Sequence, residues 1–254
     1  MTVESLLERA RTAYVPVIAL TDEELTVLDG PETDQIAPRP WYDSQDPAAR
    51  DTACMVALRS LVARGIARPE PTGHDDDDLA LLLSDDLQDL LAARRTPRHI
   101  VMAERVLAES RQARVFYIGP GPVAVEENVN ESGLHGLAVG PIERLADRFA
   151  EFCDPDGGAG KRQESGLRRV PLTDIARGVG QDIFAEALAI TQISHHRLSS
   201  SDEIEERRWT IYAPRGRVVL AVPETDGDDG VLALTDLGPR ELREHLLDLL
   251  RPPV

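Results

Sequence analysis

The chain has 254 residues, a formal net charge of −17 at pH 7 and only two cysteines. A surface this acidic repels phosphate backbones and anionic membranes, so the composition disfavours nucleic-acid and membrane partners. Cys54 and Cys153 form no CxxC pattern, which argues against a zinc site and against a disulfide framework. The N-terminal residues are acidic and no stretch is apolar enough for a membrane span, so we expect a soluble, cytoplasmic protein without a signal peptide.

The N-terminal part predicts two short helices on either side of an edge strand. Residues 3–12 place leucines on one side of a helix, and residues 14–20, YVPVIAL, form an apolar run whose proline confines it to a sheet edge. Thr21 and Glu24 have the spacing of a capping box, so a helix over 21–28 is expected to start there. A proline-rich loop follows.

Two longer helices are predicted before the first set of strands. Asp46 and Pro47 have the pattern of an N-cap and first turn, and Gly65 that of a C-terminal stop, which indicates a helix over 47–64. Its apolar line consists of Met55, Leu58 and Val62. The sequence HDDDD at 74–78 precedes leucines at helical spacing, and its aspartates suit the N-terminal end of a helix. These leucines are Leu79, Leu83, Leu87 and Leu90.

The second half of the chain repeats a pattern from the first half. VFYIGPGPVAV aligns without a gap with TIYAPRGRVVL, 95 residues later. The apolar pairs of this alignment are Phe116 with Ile211, Tyr117 with Tyr212, Val123 with Val218, Val125 with Leu220, Leu137 with Leu232, and Val139 with Leu234. Two extra residues then enter before the closing helix, in which Leu145, Phe149 and Phe152 match Leu242, Leu246 and Leu249. A repeat of this length predicts two related lobes that pack on each other.

Each half is predicted to contain a helix, a set of strands and a closing helix. The strands are expected at about 98–107, 113–118, 122–129 and 134–139, and at about 188–197, 207–213, 216–222 and 231–235. The helix before the second set, 172–187, is weaker because Gly178 and Gly180 lower its propensity. GPGP and PRGR mark either tight turns or bulges, and the sequence does not decide between these alternatives.

The expected organisation is an N-terminal lobe over 1–153, a flexible linker over 154–166 and a C-terminal lobe over 167–254. The glycine-rich composition of the linker predicts mobility. We expect the two lobes to pack as one compact domain. The sequence leaves open whether they share one sheet.

Several motifs resemble catalytic or ligand sites, and each of them fails a test. GAGKR lacks the first glycine and the hydroxyl residue of a phosphate-binding loop, and DPDGG lacks an acidic ligand and the closing glutamate of a calcium loop. His195 and His196 are neighbours on a predicted strand, so their rings should point to opposite faces and cannot share one metal. No GxSxG occurs, and we predict no enzyme, no cofactor and no metal site.

The helix over 47–64, followed by RGIARPEP, also fits the recognition helix and wing of a winged-helix transcriptional regulator. Few basic residues surround this helix, and affinity for DNA depends largely on phosphate contacts. A regulator is therefore the alternative interpretation and not the leading one.

Three segments and the repeat together resemble the EspG proteins of actinobacterial type VII (ESX) secretion systems. The segments are ALTDEELTVL, ARDTACMVALRSLVARGIA and DDLALLLSDDLQDLLAARRTP. The resemblance implies an α+β fold with a central antiparallel β-sheet, flanking helical bundles and a quasi-twofold β-β-β-α repeat. It also implies a cytosolic, monomeric chaperone that covers the apolar helical tip of a PE/PPE-type heterodimer and keeps this client soluble for export.

In that family the loop between the first two strands of the first repeat is often long and contacts the client, whereas the matching segment Ala108–Gln112 is short here. We expect partner contacts from this loop and from the second strand of the second half. The candidate residues are Glu109, Ser110, Arg111, Gln112, Arg207, Arg208 and Trp209. For Trp209 a core position is favoured over a contact, because large aromatic side chains are mostly buried.

Overall fold

A computed structural model describes residues 5–30, 33, 35–71, 79–161, 166–198, 204–224 and 230–251. Within these residues the protein has an α+β fold with twelve strands, ten of which form one antiparallel sheet. The strands are β1 (Val15–Thr21), β2 (Ala67–Pro71), β3 (Leu79–Leu83), β4 (His99–Leu107), β5 (Arg111–Ile118), β6 (Val123–Asn130), β7 (Leu134–Pro141), β8 (Arg168–Pro171), β9 (Ala187–Leu198), β10 (Ile204–Pro214), β11 (Val219–Pro223) and β12 (Val231–Asp236).

The helices flank this sheet on both faces. They are α1 (Leu6–Arg9), α2 (Asp22–Asp29), α3 (Pro47–Ala63), α4 (Asp85–Arg95), α5 (Ile142–Cys153), α6 (Leu172–Ile175), α7 (Gln181–Phe184) and α8 (Pro239–Leu250), with a 3-10 turn at Tyr42–Ser44. None of these helices is long and apolar enough to cross a membrane.

The large sheet is symmetrical about the pairing of β4 with β9. Read outward from this pair, the order is β4, β5, β6, β7, β1 on one side and β9, β10, β11, β12, β8 on the other. Ala103 lies opposite Ile193 near the middle of the pair. The predicted quasi-twofold repeat is therefore confirmed, and the two halves share one sheet.

The ungapped alignment of the repeats is wrong from the β10–β11 turn onward. Tyr117 pairs with Val125, eight residues on, whereas Tyr212 pairs with Val219, seven residues on. Val219 is thus the counterpart of Val125. Leu220, which the alignment had equated with Val125, lies on the opposite face of the sheet, with the core beneath α5 and α8. The separation of these paired residues is thus one residue shorter in the second half, and a gap-free comparison cannot detect this.

Both GPGP and PRGR form turns between antiparallel strands, so the bulge alternative does not apply. Residues 119–122 join β5 to β6, and residues 215–218 join β10 to β11. Gly216 has φ 73°, a left-handed conformation that a residue without a Cβ adopts readily.

The helices α5 and α8 cover one face of the sheet and form the main core. Their inward side chains are the predicted repeat pairs, and all of them are buried: Leu145, Phe149, Phe152, Leu242, Leu246 and Leu249. Phe116 meets Phe149 with ring centroids 4.8 Å apart. The alternation of β4 and β9 directs Val101, Ala103 and Ile193 into the same cluster.

The other face carries two separate groups of helices. The helical layer α1–α4 packs on the strands of the first half, around Tyr117, Val125 and Val139. The short helices α6 and α7 pack on the outer strands of the second half, around Ile183 and Val219. Side chains on this face of β4, β9 and β10 lie between the two groups.

The predicted edge strand and second helix are confirmed, whereas the helix expected over 3–12 is limited to Leu6–Arg9 among the described residues. The edge strand β1 pairs only with β7 among the described strands, and its register shifts after Pro16, as expected of a proline at a sheet edge. The capping box at the start of α2 is formed, since the Thr21 hydroxyl accepts a hydrogen bond from the amide of Glu24 and the Glu24 carboxylate accepts one from the amide of Thr21.

Two helix predictions are wrong in part. Leu79 and Leu83 belong to strand β3, which pairs with β2, and the helix α4 begins only after Ser84, whose hydroxyl accepts a hydrogen bond from the amide of Leu87. The sequence HDDDD lies outside the described residues. The predicted helix 172–187 is broken into α6 and α7, because the intervening Gly178 and Gly180 adopt φ 97° and 80°.

The helix predicted over 47–64 is confirmed as α3, but it packs with a different face. Met55, Leu58 and Val62 are exposed, whereas Ala57 and Leu61 are buried. The face is fixed by Glu24 of α2, whose carboxylate accepts hydrogen bonds from the Ser60 hydroxyl at 2.7 Å and the Arg64 guanidinium at 2.6 Å. This polar contact orients α3, and hydrophobic periodicity alone contains no sign of it.

Part of the predicted linker packs against the second half. The Asp154 carboxylate accepts hydrogen bonds from the amides of Gly158 and Ala159, at 2.7 and 2.9 Å. A Cβ on Gly158 would lie 3.2 Å from the backbone of Gly216. Ala159 belongs to the main core. Residues 162–165 of the linker lie outside the described residues.

A buried network of ionisable side chains joins the helical layer to the sheet. The Asp22 carboxylate accepts hydrogen bonds from the backbone amides of Trp41 and Tyr42, at 2.8 and 2.9 Å, and lies 2.7 Å from His135 Nε2. His135 Nδ1 lies 2.6 Å from Glu127. The network therefore connects α2 and the loop after it to β6 and β7.

We predict that Gly133→Ala destabilises the protein far more than Gly65→Ala. Both glycines have positive φ, 72° and 69°, so each substitution should cost about 1–2 kcal/mol of backbone strain. Only at Gly133 would the new Cβ meet another group, at 2.6 Å from Asp22 Oδ2, whereas nothing lies within 4 Å at Gly65. Displacing Asp22 from its buried partners should add roughly 3 kcal/mol. Urea denaturation followed by circular dichroism measures the difference, and equal losses would contradict the role of Asp22.

Candidate functional site

The central strands leave one face of the sheet open. On β4, the side chains of Val101 and Ala103 are buried beneath α5 and α8, whereas Glu104 and Val106 are exposed, with 42% of Val106 accessible. The same alternation continues on β9, where Ile193 is buried and Gln192 is exposed. The middle of a ten-stranded sheet thus presents side chains that none of the described helices covers.

Three adjoining cavities form a cleft over this open face. The first has a volume of about 510 Å³ at the start of β4, the second about 400 Å³ over β9 and β10, and the third about 230 Å³ at the end of β4. The first and second share Met102 and His196, and the second and third share Glu104. The cleft therefore follows β4 for most of its length, which is roughly 25–30 Å for nine residues.

The proline-rich loop after α2 forms one wall of the cleft. Ile36 lines the first cavity, and Pro38 and Pro40 line the third. Arg39 binds this loop to the helical layer, because its guanidinium donates hydrogen bonds to Thr26 Oγ1 at 3.2 Å and to Asp43 at 3.0 Å. On the opposite side Pro223 lines the second cavity.

The predicted loop residues lie at the far end of this cleft. Leu107 donates a backbone hydrogen bond to the carbonyl of Ser110 at 2.9 Å, so the connection between β4 and β5 is a tight turn with Glu109 at its exposed tip. Arg111 and Gln112 begin β5 and line the third cavity. Arg111 lies opposite Val106 and faces the cleft, whereas Gln112 lies opposite Arg105 on the side of α5 and accepts a hydrogen bond from its guanidinium. One of the four loop residues therefore directs its side chain into the cleft.

The predicted residues on β10 point in two directions. Arg208 lines the second cavity and forms an ion pair with Glu206 at 2.8 Å. Arg207 lies opposite His195, a residue of the covered face. Trp209 packs against the main core, in agreement with the core interpretation. The cleft thus brings Arg208 and Arg111 together through Glu104, which lines both cavities.

Sequence reasoning missed the apolar residues of the cleft. They are Ile36, Ile100, Met102 and Val106, together with the imidazole of His196. The residues of β4 alternate as expected for a strand, but alternation does not reveal that Ile100 and Met102 are only partly buried or that Val106 is exposed. The wall residue Ile36 lies in an irregular loop, where no periodic signal exists.

His195 and His196 point to opposite faces, as predicted. The rings of His99 and His195 lie 5.1 Å apart between centroids, and Trp209 lies 6.4 Å from His195 and 6.1 Å from His245. Burial lowers the pKa of His99 to about 4 and lowers the pKa values of His195 and His245. Because their rings are neutral at pH 7, the three histidines pack with Trp209 beneath α8. Among the described residues, no group of three or more His, Cys, Asp or Glu side chains could hold a metal ion.

Asp22, His135 and Glu127 have the composition of an acid–base site, but all three are fully buried and none of them lines the cleft. Burial would raise the pKa of Glu127, yet the hydrogen bond to His135 and the charge of Arg94 lower it to about 2. Burial would lower the pKa of His135, whereas its bonds to Asp22 and Glu127 raise it. The site is therefore a charged structural network that solvent and substrates do not reach.

The helix α3 and the hairpin β2–β3 have the order of a recognition helix and wing. The outward side chains of α3 are mainly apolar, with 63% of Met55 exposed beside Val56 and Val62, and they include the single arginine Arg59. An apolar face of this kind suits a protein partner better than a phosphate backbone.

No protein-family model matches this chain, and no curated protein sequence matches it either. Among solved structures, the dehydratase domain from the CurK module of the Curacin polyketide synthase aligns with 68% of this chain and 95% of its own length, at 9% identity and a TM-score of 0.16. So low a TM-score carries no argument about the fold or the function.

We predict that the stabilising effect of His135 decreases as the pH rises. Because its pKa is raised in the folded state, the folded protein retains this proton longer than the unfolded chain does. The contribution is complete below pH ~6.5 and is lost as the pH rises through the folded pKa. His135→Gln should cost roughly 3 kcal/mol near pH 6 and less at pH 9.

The measurement is the difference in unfolding free energy between wild type and His135→Gln from pH 6 to 9, where Glu127 stays ionised in both folded and unfolded protein. His196→Gln, a change outside the network, is the control. A difference that stays constant or increases with pH would contradict the prediction.

Proposed function

We propose that this protein is a binding protein that holds an apolar helical segment of a partner in the cleft. The resemblance to EspG proteins suggests the biological setting, a cytosolic chaperone that captures a PE/PPE-like client of type VII secretion. The observation that supports the proposal is the open, partly apolar face of the central sheet. Exposed apolar surface at the centre of a sheet is a feature of sites that are covered by a partner.

The dimensions of the cleft suit a helix. A helix with side chains is about 10–12 Å wide and rises 1.5 Å per residue, so roughly 18 residues match the length of β4. Strands β5, β4, β9 and β10 are neighbours in the sheet and span about 14 Å between the outer two. An amphipathic helix laid along β4 would cover Met102 and Val106, with the loop containing Ile36 at its side.

The short β4–β5 turn affects how a client would be recognised. Glu109 and Ser110 form a tight turn and extend little beyond the sheet, so most of the contact area would come from the strands and from the proline-rich wall. This favours a client whose helix lies flat on the sheet. A client that needs a long loop to grip its tip would bind weakly.

The test is co-expression with small helical secreted proteins encoded beside this chain, with capture through a tag and a salt wash. Ile36→Asp combined with Val106→Asp should reduce capture at least about tenfold, since each change places a carboxylate against the apolar face of the client. Both side chains are exposed, so the fold should be unaffected. Val179→Asp, another exposed apolar position, is the matched control because it does not line the cleft.

Unchanged capture by the double variant would contradict the cleft as the client site. If only DNA is recovered, and Met55→Asp on α3 abolishes that recovery, the regulator becomes the better interpretation. Loss of capture in the double variant and not in Val179→Asp supports the proposal.

A further inference from the structure

The floor of the cleft changes character across its width. On β4, three of the four outward side chains are apolar, namely Ile100, Met102 and Val106. Beside them, the outward side chains of β9 and β10 that line the second cavity are all polar: Gln192, Ser194, His196, Glu206, Arg208 and Thr210. The boundary between the two kinds of surface therefore runs parallel to β4.

Strand pairing arranges these side chains in three rows that cross the sheet from β4 to β10. The rows are Ile100 with His196 and Glu206, Met102 with Ser194 and Arg208, and Glu104 with Gln192 and Thr210. Side chains that lie opposite each other on neighbouring strands are about 4.5–5.5 Å apart at Cβ. In the first two rows, a single step from β4 to β9 thus leads from an apolar to a polar side chain.

The wall on the other side of β4 adds apolar groups. Pro38 and Pro40 line the third cavity together with Ala113 of β5 and Val129 of β6, so the wall stands on the β5 side of β4. Strands β9 and β10 lie on the opposite side. A helix laid along β4 would therefore meet mainly apolar groups beneath it and along one flank, and polar groups along the other flank.

One row on the polar side has hydrogen-bonding capacity that the chain itself leaves unused. The side chains of Glu104, Gln192 and Thr210 form no hydrogen bond with any residue that the structure describes. Glu104 and Gln192 are exposed to solvent. A partner that covered this row with apolar side chains would leave these groups unpaired, and this weakens binding.

Net charge does not distinguish the two sides of the floor. With histidine counted as neutral, the charged outward side chains of β5, β4, β9 and β10 are Glu104, Glu206, Arg111 and Arg208. Two carboxylates are thus balanced by two guanidiniums, and Glu206 pairs with Arg208 at 2.8 Å. The feature that a partner can read is the placement of apolar and hydrogen-bonding groups.

We propose that the cleft selects a helix whose apolar stripe is bordered on one flank by uncharged hydrogen-bonding residues, such as glutamine, asparagine or serine. This inference rests on the proposed function and specifies the chemistry of the partner. The apolar stripe covers β4 and meets the wall, and the polar border lies over Gln192, Ser194 and Thr210.

A helix that is apolar on both flanks is rejected although it would bury more apolar surface, because the polar side of the floor would lose its hydrogen bonds to water without replacement. Reversing a helix exchanges its two flanks. The polar border therefore also fixes the direction in which the partner helix lies along β4.

The experiment measures the binding of three fluorescent amphipathic peptides, each of about 18 residues, to the full-length protein by anisotropy. All three share one leucine stripe and are used at concentrations at which they are monomeric. The first has glutamine on both flanks of the stripe, the second has leucine on one flank and glutamine on the other, and the third has leucine on both.

The second peptide should bind most tightly, and the third at least about tenfold more weakly than the second. Raising the salt concentration should leave this order unchanged, because uncharged groups determine it.

Gln192→Leu combined with Thr210→Val should remove the disadvantage of the third peptide, because both changes make the polar side of the floor apolar. The matched control is Gln88→Leu with Thr52→Val, which makes the same exchanges at exposed positions of α4 and α3 outside the cleft. The control should keep the order of the wild type.

If the third peptide binds the wild type as tightly as the second, the polar border is overturned, and the same holds if none of the peptides binds. A disadvantage that persists in the Gln192→Leu, Thr210→Val variant would also contradict it. The proposed function is decided separately by the co-expressed client and the Ile36→Asp, Val106→Asp variant. Loss of client capture in that variant, together with tightest binding of the third peptide, would retain the cleft and remove the requirement for a polar border.

Discussion

The pairing of β4 with β9 is the constraint on which the remaining architecture depends. Nine residue pairs, from His99 with Arg197 to Leu107 with Ala189, join the halves of the chain into one sheet. Because each of these strands also has a partner on its other side, their backbone groups are paired on both sides and expose no sheet edge. The outward face of β4 can therefore lack a covering helix without leaving any backbone group unpaired. The cleft is a consequence of this central position.

Two adjacent carboxylates on β6 hold the layers on either side of the sheet. Glu126 and Glu127 are both fully buried and, as neighbours on a strand, point to opposite faces. Glu127 accepts hydrogen bonds from Arg94 and Tyr117, at 2.8 and 2.6 Å, on the side of the helical layer.

On the other side Glu126 accepts hydrogen bonds from Tyr14 at 2.7 Å and from Arg148 of α5 at 2.9 Å. Buried ion pairs contribute little net stability compared with apolar packing, but removing one partner is costly. The ion pairs of Glu126 and Glu127 therefore serve mainly to fix the positions of the layers on the sheet. Arg94 also forms an ion pair with Asp29 of α2. This contact fixes the position of the helical layer relative to the sheet, and with it the position of the cleft wall.

The sequence predicts the fold well where local signals are strong. The predicted strands and helices α3, α5 and α8 lie within a few residues of expectation, because alternation, capping residues and Gly-Pro boundaries determine them. Strands β2, β3 and β8 were not predicted. Leu79 and Leu83 mislead because a spacing of four residues fits both a helix and one face of a strand.

The candidate site is much harder to predict from the sequence. The exposed face of α3 depends on contacts of Glu24 with Ser60 and Arg64, which are far apart in the chain. The cleft depends on which side of β4 the helices cover, and its wall comes from an irregular loop. Arg111 and Arg208 were predicted from the resemblance to EspG proteins and not from a local signal, whereas Ile100 and Met102 look like core residues.

The net charge of the protein affects what can occupy an apolar cleft. Two copies that met cleft to cleft would bring two surfaces of charge −17 together, and this repulsion acts over about 8 Å at physiological ionic strength. A small helix carries far less charge and can approach closely. The same acidic surface that disfavours self-association therefore leaves the cleft accessible to a slender partner.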